Sequence, residues 1–119
     1  MPSAIAFHRQ TTEPEIDYPN PDRRIDGNPA RTTFNHFTNS TGEVFAGEWT
    51  SEVGSWRIEF GATEDEFFFV TQGRVRIIGD SGQTTELAAG QSIVIPAGFR
   101  GIFEVVEPVK KHYMIVVRK

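Results

Sequence analysis

The sequence predicts an all-β domain, and three observations carry that reading. The chain of 119 residues holds a single leucine, Leu87, against ten valines, ten isoleucines, ten phenylalanines and eleven threonines, residues that strands favour and long helices do not. Eleven glycines and seven prolines interrupt it at short intervals, as tight turns require. Between these breaks lie short apolar runs with no helical period.

The first thirty residues differ from the rest. They are polar and proline-bearing (TEPEIDYPNPDRRIDGNP) with no apolar period, which predicts residues 1–30 as an extended N-terminal arm, of a kind that lies across a neighbouring subunit. Residues 31–119 form the domain proper. From Thr32 onward the apolar runs TTFNHF, VFAGEWT, SWRIEF, EFFFVTQG, RVRIIG, TTEL, SIVIP, RGIFEVV and KHYMIVVRK follow one another, giving about nine strand candidates. Ser40-Thr41-Gly42, Glu52-Val53-Gly54, Gln72-Gly73, Asp80-Ser81-Gly82, Ala89-Gly90 and Pro96-Ala97-Gly98 supply the turns, each with a residue type that turn geometry prefers. An open sheet of so many strands would expose edges and a bare face, so they must form two packed sheets or close into a barrel.

Alternation along each strand then sorts side chains into faces. Gly101, Phe103 and Val105 share one face, expected to be the inner one, as do Trp56, Ile58 and Phe60; Glu66, Phe68 and Val70; and Tyr113, Ile115 and Val117. If those faces converge, Glu66 is a carboxylate opening into an aromatic cavity. A β-bulge at Gly61 would change the inward set between Trp56 and Ala62.

Composition excludes several classes of function. A 13.4 kDa chain with 38% hydrophobic and 24% charged residues and a net charge of −4 is ordinary for one globular core, and its mildly acidic balance predicts no nucleic-acid partner. No run approaches the roughly 18 apolar residues of a membrane helix. The opening MPSAIAFHRQ has no signal-peptide pattern, so no membrane partner and a cytoplasmic location are expected. Asn39-Ser40-Thr41 matches the glycosylation acceptor pattern and is expected to stay unmodified on that account. With no cysteine, disulfides, thiolate metal sites and a cysteine nucleophile are out.

Two segments resemble the paired motifs of the cupin superfamily, whose usual patterns are G-x5-H-x-H-x(3,4)-E-x6-G and G-x5-P-x-G-x2-H-x3-N. Glu66 is followed by Gly73 in EFFFVTQG, and Gly90 by Pro96 and Gly98 in GQSIVIPAG. The histidines are missing: the two first-motif positions fall within Glu59 to Ala62, and the second-motif position is Gly101. That loss, with DRRIDGNPARTTFNHF, GEWTSEVGSWRI, PAGFRG and EPVKKHY, is similar to the small single-domain cupins grouped with the ureidoglycine aminohydrolase and ethanolamine-utilisation families (DUF861-type, RmlC-like), over roughly residues 20 to 119. The resemblance implies an all-β jelly-roll cupin, a double-stranded β-helix barrel, and a homodimer. A fold so widely shared does not by itself fix an activity.

The chemistry is read residue by residue. Divalent metals on N/O ligands need three or four converging donors, whereas His8, His36 and His112 are dispersed and form no His-x-His pair. A site would have to combine Glu66 with His36 or His112, so no metal ligand is assigned and no cofactor is expected. Glu66, beside Phe68 and facing Phe60, Phe103 and Tyr113, is the candidate catalytic residue, because burial raises a carboxyl pKa and can poise it for acid–base work; those four aromatic residues are the candidate cavity lining. The competing reading leaves Glu66 in water at the end of the acidic run Glu64-Asp65-Glu66.

Other features read as scaffold. Arg57, Arg74 and Arg76 alternate with apolar residues and belong on a solvent face. Arg23-Arg24 and Lys110-Lys111 are too short to mark a nucleic-acid or membrane surface. Trp49 and Trp56 read first as core or dimer-interface residues and second as ligand platforms. Thr63 and Glu66 match a helix capping box, but a strand follows them. No phosphate loop or nucleophile elbow is present.

The function expected is therefore a metal-independent small-molecule site in the barrel, for binding or for acid–base chemistry through Glu66. The alternatives are a divergent metal-dependent aminohydrolase of ureidoglycine type in nitrogen metabolism, and a non-catalytic accessory domain whose cavity is filled by its own aromatic residues.

Overall fold

β-branched and aromatic residues at alternate positions give nine antiparallel strands in the computed structural model, which describes residues 1–119. They are β1 Glu15–Asp17, β2 Arg24–Asp26, β3 Arg31–Thr38, β4 Val44–Ser51, β5 Gly54–Glu59, β6 Glu64–Gly79, β7 Thr84–Ala88, β8 Ser92–Ile95 and β9 Arg100–Val117. The only helical element is one 3-10 turn, Phe7–Arg9, and no helix is long and apolar enough to cross a membrane.

β6 and β9 are long and pair with each other along nearly their whole length. Their outer halves continue into different sheets. Residues 64–70 and 109–117 join β8, β4, β3 and β1 in the order β8-β6-β9-β4-β3-β1. Residues 74–79 and 100–107 join β7, β5 and β2 in the order β7-β6-β9-β5-β2. The two layers meet at a bend where the β6–β9 register shifts between Val70 and Val75. Gly73 makes that bend possible: its φ is +88°, and a Cβ there would lie 2.0 Å from the Pro108 carbonyl oxygen. Pro108 sits at the same corner, where the irregular ladder tolerates a residue with no N–H to donate.

Strand number and distribution therefore differ in origin. EFFFVTQG and RVRIIG are one strand, as are RGIFEVV and KHYMIVVRK, because a glycine or proline at a bulge bends a strand without ending it. The count returns to nine because the arm, in which no packed element is evident from sequence, contributes β1 and β2. These pair with β3 and β5 of the same chain; covering the free edges of both sheets is the physical gain.

The predicted inward faces do converge. Phe68, Val70, Val75, Ile77, Phe103 and Val105 fill the space between the layers; Phe68 is fully buried, worth about 2–3 kcal/mol in transfer free energy. Trp56, Ile58 and Phe60 keep their common face because the extra residues at register shifts fall on other strands, between Arg24 and Asp26 of β2, between Asn35 and Phe37 of β3 and at the β6–β9 bend, while the β5–β9 ladder is regular.

Candidate functional site

The inner faces do not fill the barrel completely. A cavity of about 660 Å³ opens between them, bounded by β3, β4, β5, β6, β8 and β9 and, on the arm, by Thr12, Glu13 and Glu15. Glu66 comes from β6, next to Ile115 of β9. Its Oε2 accepts a hydrogen bond of 2.8 Å from Lys111 Nζ, and both residues are buried. Lys111 pairs with Val70, four rungs along the ladder from Ile115, so its four-carbon stem reaches back over Phe68 to meet the carboxylate. The ammonium lies 4.0 Å from the centre of the Phe68 ring, 4.5 Å from Trp49 and 5.0 Å from Phe103. Ring faces and a carboxylate together stabilise a cation that burial alone would disfavour.

Tyr113 lines the same space. Its hydroxyl donates to Asn35 Oδ1 at 2.7 Å, passing over Gly47, where a Cβ would come within 2.9 Å of the phenol oxygen. Burial first, then the negative charges of Glu66 and Glu15, push the Tyr113 pKa up to about 12. At the mouth, the Arg31 guanidinium lies 4.8 Å from the centre of the Trp56 ring and forms a two-pronged ion pair with Asp17, both hydrogen bonds 2.9 Å. Trp56 stacks on Phe103 at 5.2 Å.

Of the residues singled out from sequence, Glu66, Phe60, Phe103 and Tyr113 line the cavity together. Phe68 does not: its ring is sealed beneath Lys111 and forms the base of the floor. Trp49 and Trp56 are cavity walls. Arg57, Arg74 and Arg76 lie on the outside, paired with Asp80, Glu86 and Glu104. Lys111, Arg31, Asn35 and the arm residues were not evident as site residues. Lys111 could have been found by the rule that placed Tyr113, since it stands two residues earlier and therefore on the same face. The arm's contribution had no sequence signal.

The donor set does not fit a divalent metal. The one family ligand retained, Glu66, is bound to an ammonium. At Gly101, the second-motif histidine position, any Cβ would lie 2.1 Å from the Ile78 carbonyl oxygen and 2.9 Å from the Phe99 ring, so the local backbone has closed over the space a side chain would need. His36 and His112 cannot join Glu66, because they lie on the opposite, outer face of the sheet. There His36 Nε2 lies 2.8 Å from Glu48 Oε2, His36 Nδ1 lies 2.6 Å from the Thr12 hydroxyl, and His112 Nε2 lies 3.5 Å from Glu48 Oε1. No group of three or more His, Asp or Glu side chains is arranged to hold a metal ion.

Solved structures share this architecture. The EutQ protein of Clostridium difficile aligns with a TM-score of 0.66 at 22% identity, covering 76% of this chain and 65% of its own. A DUF861-family protein of unknown function from Pseudomonas syringae pv. tomato aligns at 0.78 and 19%, covering 91% and 45%. A putative ethanolamine utilization protein Q from Salmonella typhimurium aligns at 0.66 and 17%, covering 92% and 100%. The chain thus spans less than two-thirds of the first two, and at these identities the likeness shows the fold. No functionally curated protein matches the sequence. The sequence profile of the EutQ-like cupin domain matches residues 38–113, which takes in β4 to β8 and most of β9, and with the jelly-roll barrel it establishes that the chain belongs to the EutQ-like cupin family.

Proposed function

We propose that this protein binds a small organic molecule in its barrel without a metal, with the Glu66–Lys111 pair as the polar end of the site. The observation that carries the reading is a buried ion pair at the floor of an open 660 Å³ cavity with aromatic walls. A site of this size with few convergent polar groups is the usual form of a small-molecule pocket. The accessory-domain alternative supposed a barrel plugged by its own aromatic residues, and the open cavity gives it no support. Nor does the donor set support a metal-dependent aminohydrolase.

Charge suggests where a ligand search should start. Glu13 and Glu15 line the mouth without an ion-pair partner, whereas Arg31 and Lys111 are each neutralised by one carboxylate. Amine-bearing compounds are therefore the first class to screen, a chemistry compatible with the neighbours named for ethanolamine utilisation. If the bound molecule reacts, Lys111 is placed to give a proton and Glu66 to take one, since both open onto the cavity.

The test has two parts. Elemental analysis of untagged protein purified without chelators is expected to find Mn, Fe, Ni and Zn far below one per chain; near-stoichiometric metal would overturn the metal-independent reading. A thermal-shift screen of amines, amino acids and small carboxylates is then run on the wild type and on Lys111→Met. Ligands that stabilise only the wild type support the site, and ligands that stabilise both equally place binding elsewhere.

A further inference from the structure

Residues 7–14 of the arm run from the outer face of the larger sheet to the mouth of the cavity. At one end Phe7 packs against His36 and His112, with ring centres 4.9 and 5.3 Å away. At the other, Thr12 and Glu13 form part of the cavity wall, followed by Glu15 at the start of β1. Very little holds the stretch down. No backbone hydrogen bond joins residues 7–14 to the barrel, and the two that they make, from the Arg9 and Gln10 amides, close the 3-10 turn on itself. The Gln10 side chain likewise turns back to Ala6. The one side-chain hydrogen bond to the barrel is that between Thr12 and His36, 2.6 Å long. None of residues 7–14 is buried, and a groove of about 380 Å³ lies between Phe7–Thr12 and the strands beneath. His36 is enclosed by contrast: left without a ladder partner by the β3 bulge, its side chain is only 4% exposed.

We propose, resting on the small-molecule site above, that residues 7–14 are a strap that gates the barrel, latched on His36 by Phe7 and Thr12, with Glu13 and Glu15 as the filter that favours cationic ligands. Three arguments support the assignment. The first is energetic: a segment with no buried residue and no backbone hydrogen bond to its neighbours opens locally at low cost while the barrel stays folded. Its far end is fastened, because β1 pairs with β3 and Asp17 holds Arg31 through two hydrogen bonds, so the strap pivots there and does not detach. The second is geometric. Thr12 lines both the outer groove and the cavity, so the residue that latches outside is also wall inside, and that wall moves only when the latch opens. The third is electrostatic: Glu13, carried by the strap, and Glu15, at its root, stand at the mouth without an ion-pair partner, and carboxylates so placed concentrate cations and repel anions within a Debye length.

Fluorescence quenching of the full-length chain tests the proposal without a known ligand. The only two tryptophans, Trp49 and Trp56, both line the cavity, so quenching reports entry to it. Acrylamide, caesium and iodide serve as neutral, cationic and anionic quenchers at matched ionic strength. Phe7→Ser is expected to raise the acrylamide quenching constant about twofold or more, and Thr12→Val to raise it less, because each loosens one half of the latch; far-ultraviolet circular dichroism should not change. If Phe7→Ser does not fold, Thr12→Val carries the test. Glu13→Gln with Glu15→Gln is expected to lower the ratio of caesium to iodide quenching about twofold at low salt. Wild-type acrylamide quenching in the folded latch variants would overturn the gate, and an unchanged caesium-to-iodide ratio would overturn the filter. The amine screen is read separately: quenching that responds while no amine stabilises the chain upholds the gate and counts against the binding site, whereas amine binding with quenching unmoved upholds the site and overturns the gate.

Discussion

Replacing Lys111 by methionine removes the ammonium from the cavity floor and keeps an unbranched stem of similar length. What remains is Glu66, buried, with its only hydrogen-bonding side chain gone. Breaking one partner from a buried pair costs about 3–5 kcal/mol when the other charge is fully enclosed. Glu66 opens onto the cavity, where water can reach it, so the expected cost is lower, about 2–4 kcal/mol. Glu66→Gln should be milder, about 1–2 kcal/mol, because Lys111 keeps an amide oxygen to donate to and three ring faces within 5.0 Å, each worth on the order of 0.5–2 kcal/mol to a cation. The double variant should cost less than the sum of the two, leaving a coupling of about 1–3 kcal/mol. Urea unfolding of all four proteins, fitted for midpoint and slope, gives the cycle. Additive single effects, or a Lys111→Met cost below about 0.5 kcal/mol, would refute a buried, coupled pair at this position.

Other expectations follow from geometry and charge. In the folded chain Tyr113 holds its proton up to about pH 12, against about pH 10 when unfolded. Stability is therefore full below about pH 10 and declines as pH rises between those values, by at most about 3 kcal/mol; Tyr113→Phe should flatten that slope in urea titrations, and an unchanged slope would assign the decline elsewhere. On the acid side, Arg118 and the Ala97 amide hold Asp65 below the ordinary carboxylate range, Arg57 does so for Asp80, and Arg76 with Arg74 for Glu86. Their contribution is present above about pH 4 and lost as pH falls through the lowered values. Because these pairs are exposed, added salt should weaken that acid dependence, as thermal unfolding at two ionic strengths will show. Gly73→Ala should cost more than about 2 kcal/mol, since a Cβ at that φ meets the Pro108 carbonyl and neither strand can shift without losing the bend; a near-neutral effect in urea unfolding would contradict the bend.

Much of this architecture was legible before any coordinates. Period-2 alternation placed Trp56, Phe68, Phe103 and Tyr113 on converging faces because the ladder is regular on either side of the bend, the β6–β9 shifts being confined to the stretch between Val70 and Val75, and the motif spacing put Glu66 and Gly73 on β6. Three things were not legible, each for a physical reason. Strand ends at Gly73 and Pro108 looked like breaks, because local propensity cannot tell a bend within a ladder from its termination. β1 and β2 are three residues each, too short for any periodicity, and exist because sheet edges are there to be covered. Lys111 was hidden by its chemistry: a lysine beside another lysine reads as surface, and only the distant Glu66, 45 residues away in the chain, makes its burial tolerable.

The sharing of β6 and β9 between the two sheets also governs how the molecule is made. Every central pairing in both layers involves β9, the last strand that a ribosome produces in this segment. Until β9 emerges, β4 and β5 have no neighbour to carry them into the barrel, and the inward face of β6, Glu66 included, has nothing to close against. Chains dominated by such distant pairings fold slowly and expose sticky strands meanwhile. The nascent chain is thus most vulnerable to aggregation just before β9 is complete, and a premature stop within β9 should yield protein that chaperones retain or proteases remove.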